Sequence, residues 1–169
     1  MKVRIPENIL SLELTKIKKN IASPPYTIKP INAQDTFPVR HPVLRAGKPI
    51  ASCIFTGDDL ETTRHFGIYA QDVIVGVASF FKNNHPNILQ TDQYQLRGMA
   101  ILKPFQGNGL GQLILQHGET VLKHQQTEIV WCNARKIAID FYKKSGYQSI
   151  GKPFEIKDIG VHYLMFKTL

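Results

Sequence analysis

The chain has 169 residues, of which 43% are hydrophobic and 20% charged, with a formal net charge of +8. This length and composition are typical of one globular domain that folds without disulfide or metal staples. Cys53 and Cys132 are too few for a disulfide framework or a zinc cluster, so no metal is expected. The positive charge suits an anionic partner, but the basic residues are dispersed, so we expect no nucleic-acid partner.

The hydrophobic segments of the chain are short. The longest apolar stretch, residues 73–81, is far below the roughly 20 residues that span a bilayer. The first residues carry no long apolar region of the kind that forms a secretory signal. We therefore expect a cytoplasmic protein without a membrane partner.

Residues 1–25 differ from the rest of the chain because they combine dispersed lysines with Ile and Leu and end in Pro24-Pro25. They predict an N-terminal extension, either a short packed helix or a loose tail. Residues 26–169 are predicted to form a single domain. Hydrophobic periodicity predicts its strands at 26–31, 64–70, 73–81, 94–102, 128–132, 147–156 and 161–167, and its helices at 35–44, 110–123 and 134–145.

The order of these elements predicts an α/β fold. A strand, the helix at 110–123 and the next strand imply one parallel pair with a right-handed crossover. The flanking hairpins imply antiparallel pairs, so we expect a mixed, mostly antiparallel sheet flanked by helices. For the helix at 134–145, Asn133 is the expected N-cap and Gly146 the residue that ends it.

A glycine-rich loop separates the predicted strand 94–102 from the helix that follows. Glycines permit positive φ angles and a close backbone approach, and the first amides of a helix attract anions, which suits a pyrophosphate. The glycine spacing matches neither a dinucleotide fingerprint nor a P-loop. From the residues alone, a glycine-rich turn without a ligand remains an alternative. The loop reads Gln106-Gly107-Asn108-Gly109-Leu110-Gly111.

Two segments of the sequence together resemble the GNAT superfamily of N-acetyltransferases. The loop has the pattern Gln106-x-x-Gly109-x-Gly111, and residues 96–104 before it resemble the central strand of that family. Residues 133–147, with Asn, Ala, Phe-Tyr and Gly-aromatic in order, resemble its second motif. The resemblance covers about 26–169 and implies the acyl-CoA N-acyltransferase fold, with a central parallel strand pair that splays apart.

The resemblance implies that acetyl-CoA is the cosubstrate and that its acetyl group passes to a primary amine by direct attack in a ternary complex. Backbone amides of the loop would bind the pyrophosphate, and a Cβ at Gly109 or Gly111 would displace it. Gly98 would mark the bulge at which the central strand begins to splay. The implied cofactor-binding residues are Met99, Ala100, Ile101, Gln106, Gly107, Asn108, Gly109, Leu110, Gly111, Gln112 and Asn133.

The resemblance also implies a catalytic role for Tyr142, which would donate a proton or hydrogen bond to the departing thiolate. A core tyrosine with a surface hydroxyl is the alternative interpretation. Asn133 either bonds the pantetheine arm or caps the next helix. Cys132 lies in an apolar strand, so we expect a core cysteine and no covalent intermediate.

The resemblance identifies no general base, because residues 95–102 contain no carboxylate where many family members carry a Glu. Each candidate also has a structural interpretation. Arg97 could face the acceptor groove, pair with an acid or lie at the surface. The candidate bases are Tyr94, His65, Asp92 and His162.

The acceptor is expected to be a small-molecule or peptide amine. A catalytically silent acyl-CoA-binding sensor of the same fold is the alternative function, supported by the missing carboxylate. A homodimer is also possible, with the strand at Tyr163 to Lys167 pairing between subunits.

Overall fold

A computed structural model describes residues 26–157 and 159–169 of the chain. The expected extension at 1–25 lies outside the described residues. The division of the chain into an extension and one domain therefore stays a prediction.

Within the described residues, the chain forms seven strands and three α-helices, with short 3-10 turns between several of them. The elements are β1 (Tyr26–Pro30), α1 (Phe37–Leu44), β2 (Arg64–Ala70), β3 (Val73–Lys82), β4 (Gln93–Ile101), α2 (Leu110–His124), β5 (Ile129–Arg135), α3 (Ile139–Lys144), β6 (Gln148–Ile156) and β7 (Gly160–Thr168).

All seven strands form one sheet in the order β1-β2-β3-β4-β5-β7-β6. Every neighbouring pair is antiparallel except β4 and β5, which confirms the predicted mixed sheet. The parallel pairing joins residues 93–95 only to residues 129–131, although both strands continue well beyond. The central pair therefore splays apart, as expected.

Helices cover both faces of the sheet because side chains alternate between the faces along each strand. On one face, Val77 and Ala100 pack against Val39 of α1. On the other face, Phe80 and Leu96 join the main core with α2 and α3. The helix α2 approaches closely, since a Cβ added at Gly118 would overlap the ring of Phe80.

The prediction of one helix over 134–145 is wrong. Strand β5 extends to Arg135, a 3-10 turn follows, and α3 begins only at Ile139. Asn133 therefore lies within a strand, opposite Leu164 of β7, and does not cap a helix. The pairing with β7 connects distant parts of the chain, so it overrides the local helical pattern.

The predicted end of that helix is confirmed at Gly146, which has a φ of +90°. Its amide donates to the carbonyl of Lys143, and the amide of Tyr147 donates to the carbonyl of Tyr142, both at 3.0 Å. These are the two bonds of a Schellman turn. The turn fixes Tyr147 beside Tyr142, with ring centroids 5.3 Å apart.

The strand proposed for pairing between subunits lies inside the sheet. Strand β7 has β5 on one side and β6 on the other. The proposal that Tyr163 to Lys167 pair across a dimer is therefore wrong, since their main-chain groups already have neighbours. A homodimer stays a prediction without that support.

Candidate active site

The divergence of β4 and β5 opens a cleft of about 460 Å³. Tyr142 and Cys132 approach it from the face of the sheet that carries α2 and α3. Arg45 at the end of α1, with Phe55 after it, approaches from the opposite face. The cleft is therefore lined by side chains from both faces of the sheet. The remaining lining residues are Leu44, Gln95, Leu96, Arg97, Gly98, Met99, Asn133, Ala134, Arg135, Ala138, Ile156, Ile159 and His162.

Strand β4 carries the expected bulge at Gly98. The register between β3 and β4 shifts at this point, and Gly98 has a φ of +61°. A Cβ there would lie 2.8 Å from both Arg40 Nε and Phe55 Cε2. Both the backbone angle and the close contacts therefore require glycine.

The glycine-rich loop joins the end of β4 to α2 in a conformation that depends on two glycines. Gly107 and Gly109 have φ angles of +78° and +76°, and Gly109 is the N-cap of α2. The first helical hydrogen bond runs from the amide of Leu113 to the carbonyl of Gly109. The amides of residues 110–112 thus have no partner within the helix, as expected for an anion site.

Two polar side chains of the loop hold its shape. Gln106 Nε2 donates to the carbonyl of Ile101 at 2.8 Å, which ties the loop back to β4. Asn108 Nδ2 donates to the carbonyl of Phe105 at 3.2 Å. Their roles as described are structural, so any ligand contact of this loop comes chiefly from its backbone.

Gly111 has a different role from its neighbours in the loop. A Cβ at Gly107 or Gly109 would meet open space, whereas one at Gly111 would lie 3.2 Å from Met99 Cε and 3.3 Å from Phe141 Cε2. Gly111 therefore allows α2 to pack against the bulge of β4 and against α3. Met99 also lines the cleft, so it connects the loop to the cleft.

Tyr142 reaches the cleft from α3 and is buried, with its side chain next to Cys132. Its ring packs edge-on against Phe141, with centroids 5.1 Å apart. Burial raises the pKa of Tyr142 well above its usual value, and the neighbouring Cys132 raises it further. The phenol therefore stays protonated at neutral pH and is available as a hydrogen-bond donor.

A buried polar network holds Tyr147, the residue against which Tyr142 packs. The hydroxyl of Tyr147 donates to Glu119 Oε1 at 2.8 Å, and Lys167 donates to the other oxygen of that carboxylate. The network joins α2, the turn after α3, and β7. It fixes the ring against which Tyr142 packs.

Cys132 fits the predicted core role. It is 2% exposed, and burial raises the pKa of its thiol to about 12. The thiolate, which is the nucleophilic form of cysteine, is therefore scarce at neutral pH.

Three of the four candidate bases do not line the cleft. His65 is buried, with Nδ1 2.7 Å from Ser79 Oγ and Nε2 2.8 Å from the carbonyl of Asp58. Asp92 pairs with Lys82 at 2.7 Å, near the start of β4. Tyr94 belongs to the main hydrophobic core.

His162 is the candidate base that lines the cleft. It lies on β7 opposite Arg135 of β5 and is 4% exposed. Its Nδ1 is 2.7 Å from the carbonyl of Gly160. A carbonyl only accepts hydrogen bonds, so Nδ1 carries the hydrogen and a neutral ring keeps its lone pair on Nε2.

The lining includes residues that the sequence analysis did not select, mainly Arg45, Phe55 and Arg135. Of the selected residues, Met99, Asn133 and Tyr142 line the cleft, whereas Ala100 and Ile101 do not. No motif in the sequence pointed to Arg45 or Phe55, which lie at and after the end of α1.

Two features are absent from the described residues. Within 26–157 and 159–169, no helix is long and apolar enough to cross a membrane. Within the same ranges, no three His, Cys, Asp or Glu side chains are grouped so that they could hold a metal ion.

Comparison with known proteins gives agreeing results. A family model described as "Acetyltransferase (GNAT) family" matches residues 30–147. A protein of Bacillus subtilis (strain 168), named as the uncharacterized N-acetyltransferase YitI, is 34% identical over 142 residues, which are 84% of this chain and 95% of that protein.

Solved structures share the fold at low sequence identity. The ribosomal-protein-S18-alanine N-acetyltransferase from Escherichia coli is 16% identical with a TM-score of 0.68, over 85% of this chain and 93% of that chain. An aminoglycoside 6′-N-acetyltransferase complexed with coenzyme A is 12% identical with a TM-score of 0.69, over 84% of this chain and 96% of that chain.

Proposed function

The chain belongs to the GNAT family of acetyltransferases, and we propose that it transfers the acetyl group of acetyl-CoA directly to a primary amine. The observation that carries this proposal is the cleft between β4 and β5, which is lined by side chains from both faces of the sheet. It lets a thioester approach from the side of α2 and α3 while an amine approaches from the side of α1.

The cosubstrate would bind along the loop and the splayed strands. The free amides of residues 110–112 suit the pyrophosphate, because they combine hydrogen-bond donors with the positive end of the α2 dipole. Met99 on β4 and Asn133 on β5 flank the path from this loop into the cleft. A fold relative that was solved with coenzyme A supports the same class of cosubstrate.

Tyr142 would serve the leaving group. When the amine nitrogen attacks the thioester carbonyl, the C–S bond breaks and its electron pair stays on sulfur. A thiol has a pKa of about 8.5, whereas the pKa of Tyr142 is raised well above its usual value. Tyr142 would therefore stabilise the thiolate by donating a hydrogen bond rather than by complete proton transfer.

His162 would serve the nucleophile. An alkylammonium of pKa about 10.4 must lose a proton before its nitrogen can attack. His162 Nε2 has no partner recorded within the described residues, and the Gly160 carbonyl fixes the tautomer that a base requires. The proton would thus move from the amine to His162 Nε2.

The first test measures binding and turnover separately. Acetyl-CoA at about 100 times its dissociation constant should add about 2.7 kcal/mol, or roughly 5–11 °C in Tm for a domain of this size. NAD and ATP serve as controls, and thiol release with an amine panel reports transfer. No shift with acetyl-CoA would contradict the proposal, and a shift without thiol release from any amine would favour the silent sensor.

The second test separates chemistry from binding with Tyr142→Phe and His162→Gln. Both variants should keep the acetyl-CoA shift and lose roughly 10²–10⁴-fold in kcat, the usual contribution of acid–base groups. Tyr69→Phe, a substitution on β2, is the matched control. Unchanged turnover in either site variant would remove that residue from the mechanism.

A further inference from the structure

The side of the cleft that faces α1 is cationic. Arg45, Arg97 and Arg135 line it, and His162 lies beside them. Among the described residues that line the cleft there is no Asp or Glu. This balance is unusual for a site that must receive a positively charged amine, because like charges repel in a partly buried space.

Arg97 is the central residue of this group. Its guanidinium lies between two aromatic rings, 5.1 Å from the centroid of Phe55 and 5.0 Å from that of Phe81. Within the described part of the chain, no hydrogen bond or carboxylate partner is recorded for it. Burial lowers the pKa of Arg97, and Arg40 and Arg45 lower it further, while Asp58 opposes them.

Arg45 provides a second guanidinium at the same place. It lies 5.3 Å from the centroid of Phe55 and donates to the carbonyls of Leu44 and Ser52. Those carbonyls hold the side chain in position without neutralising its charge. The guanidinium groups of Arg45 and Arg97 thus both contact the ring of Phe55 at the edge of the cleft.

The nearby acid Asp58 is not available to these arginines. Its carboxylate accepts two hydrogen bonds from Arg40, at 2.8 and 3.1 Å, and one from the amide of Phe55, at 2.7 Å. It is also 5% exposed. The charge of Arg97 is therefore left for a ligand.

We propose that the acceptor amine carries an oxyanion, either a carboxylate or a phosphate, and that Arg97 and Arg45 bind this group on the α1 side of the cleft. The inference rests on the proposed function and names its substrate class. Planar guanidinium forks match both oxyanions, and the two flanking rings hold Arg97 in place. An acceptor with ammonium groups alone, such as a polyamine, would meet only repulsion there.

The phosphates of the cosubstrate do not account for this group of arginines. The anion site expected for them is the start of α2, and none of its residues 107–112 lines the cleft. Met99 lies between the two places. Among the described residues, the start of α2 and the arginines of the cleft are therefore two separate places suited to an anion.

The test uses acceptors that differ only in the oxyanion. β-Alanine, O-phosphoethanolamine and ethanolamine form one matched set, and tyrosine with tyramine and histidine with histamine form two more. Thiol release is measured with the full-length enzyme and saturating acetyl-CoA. We expect at least one oxyanion-bearing acceptor to exceed the partner that lacks the oxyanion by roughly 10- to 100-fold in kcat/KM, the usual size of a charge-assisted pair.

The variant Arg97→Gln should remove this preference. Its kcat/KM should fall by roughly 10- to 100-fold for the oxyanion acceptor and change little for the partner that lacks the oxyanion. Arg45→Gln provides the same comparison if the first variant does not fold. Arg64→Gln is the matched control, since Arg64 lies outside the cleft lining and bonds the carbonyls of Glu61 and Thr63.

The outcomes separate this inference from the proposed function. If amines that lack an oxyanion react as well as their oxyanion-bearing partners, or if no oxyanion-bearing amine reacts, the inference is overturned. The acetyl-CoA shift and thiol release with other amines would then still support the acetyltransferase. A preference for carboxylate or for phosphate within the first set identifies which oxyanion is recognised.

Discussion

Arg40 and Arg97 both contact the ring of Phe55, but they differ in whether a carboxylate neutralises their charge. Arg40 is fully buried, 4.2 Å from the Phe55 centroid, and its charge is matched by the carboxylate of Asp58. It also donates to the carbonyl of Cys53 and to Ser79 Oγ, both at 2.9 Å. Arg97 is half-buried. Among the described residues, its guanidinium contacts aromatic rings but has no carboxylate partner.

The difference teaches how to distinguish an arginine that holds a fold from one that binds a ligand. A buried charge is tolerated when its donors are used, and removing its partner is then costly. A half-buried charge without a protein partner contributes little to folding and is available to a ligand. The comparison predicts that replacing Arg40 lowers the stability of the fold, whereas replacing Arg97 weakens the binding of the acceptor.

The largest effect should follow Arg40→Met, which leaves the carboxylate of Asp58 buried without its cation. We expect a loss of about 3–5 kcal/mol in the free energy of unfolding, the usual cost of breaking a buried ion pair. Urea unfolding measures it. Arg97→Met is the matched control and should stay within about 1 kcal/mol of the parent protein. Equal losses in the two variants would break the comparison.

A smaller effect should follow Gly98→Ala, at the bulge between the two arginines. The new Cβ would contact Arg40 Nε and Phe55 Cε2 at 2.8 Å. Gly47→Ala is the control, because Gly47 has a similar φ of +75° but open space around it. Both variants pay the same backbone cost, so Gly98→Ala should lose roughly 1–3 kcal/mol more, from overpacking. Equal stabilities in urea would show that Arg40 and Phe55 are free to move.

The last effect concerns the buried thiol of Cys132, whose neutral form is favoured by burial. Its folded-state pKa of about 12 lies above the ordinary 9.0, so its contribution to stability is complete below pH 9 and is lost as the pH rises toward 12. The loss should approach roughly 1.4 kcal/mol per pH unit above pH 9. In Cys132→Ala this component is absent, so the stability difference from the parent should shrink between pH 9 and 11. A constant difference would contradict the assignment.

Much of the fold follows from local patterns in the sequence. The hairpin of β2 and β3, the amphipathic helix α2 and the strand order around it were predicted within a few residues. The glycine loop and the bulge at Gly98 were also predicted, because they require backbone angles that few other residues adopt. The failure at 134–145 arose where the pairing of β5 with β7, which is not local, decides the structure.

The candidate site was less predictable because burial and partners decide its chemistry. Nothing in the sequence separates His162 from His65, and only the fold places one in the cleft and the other in a closed hydrogen-bond network. The same holds for Arg40 and Arg97. Arg40 of α1 pairs with Asp58 eighteen positions later in the chain, and no periodicity encodes that separation.

The three residue pairs that join β4 to β5 also determine how firmly the two halves of the sheet are held together. They connect an antiparallel half of four strands to one of three, and within the described residues the chain crosses between the halves once, through α2. A molecule bound in the cleft would contact both halves of the sheet at the place where β4 and β5 are no longer paired. Substrate binding and the cohesion of the sheet are therefore linked, and the protein should be stiffest when it is loaded for reaction.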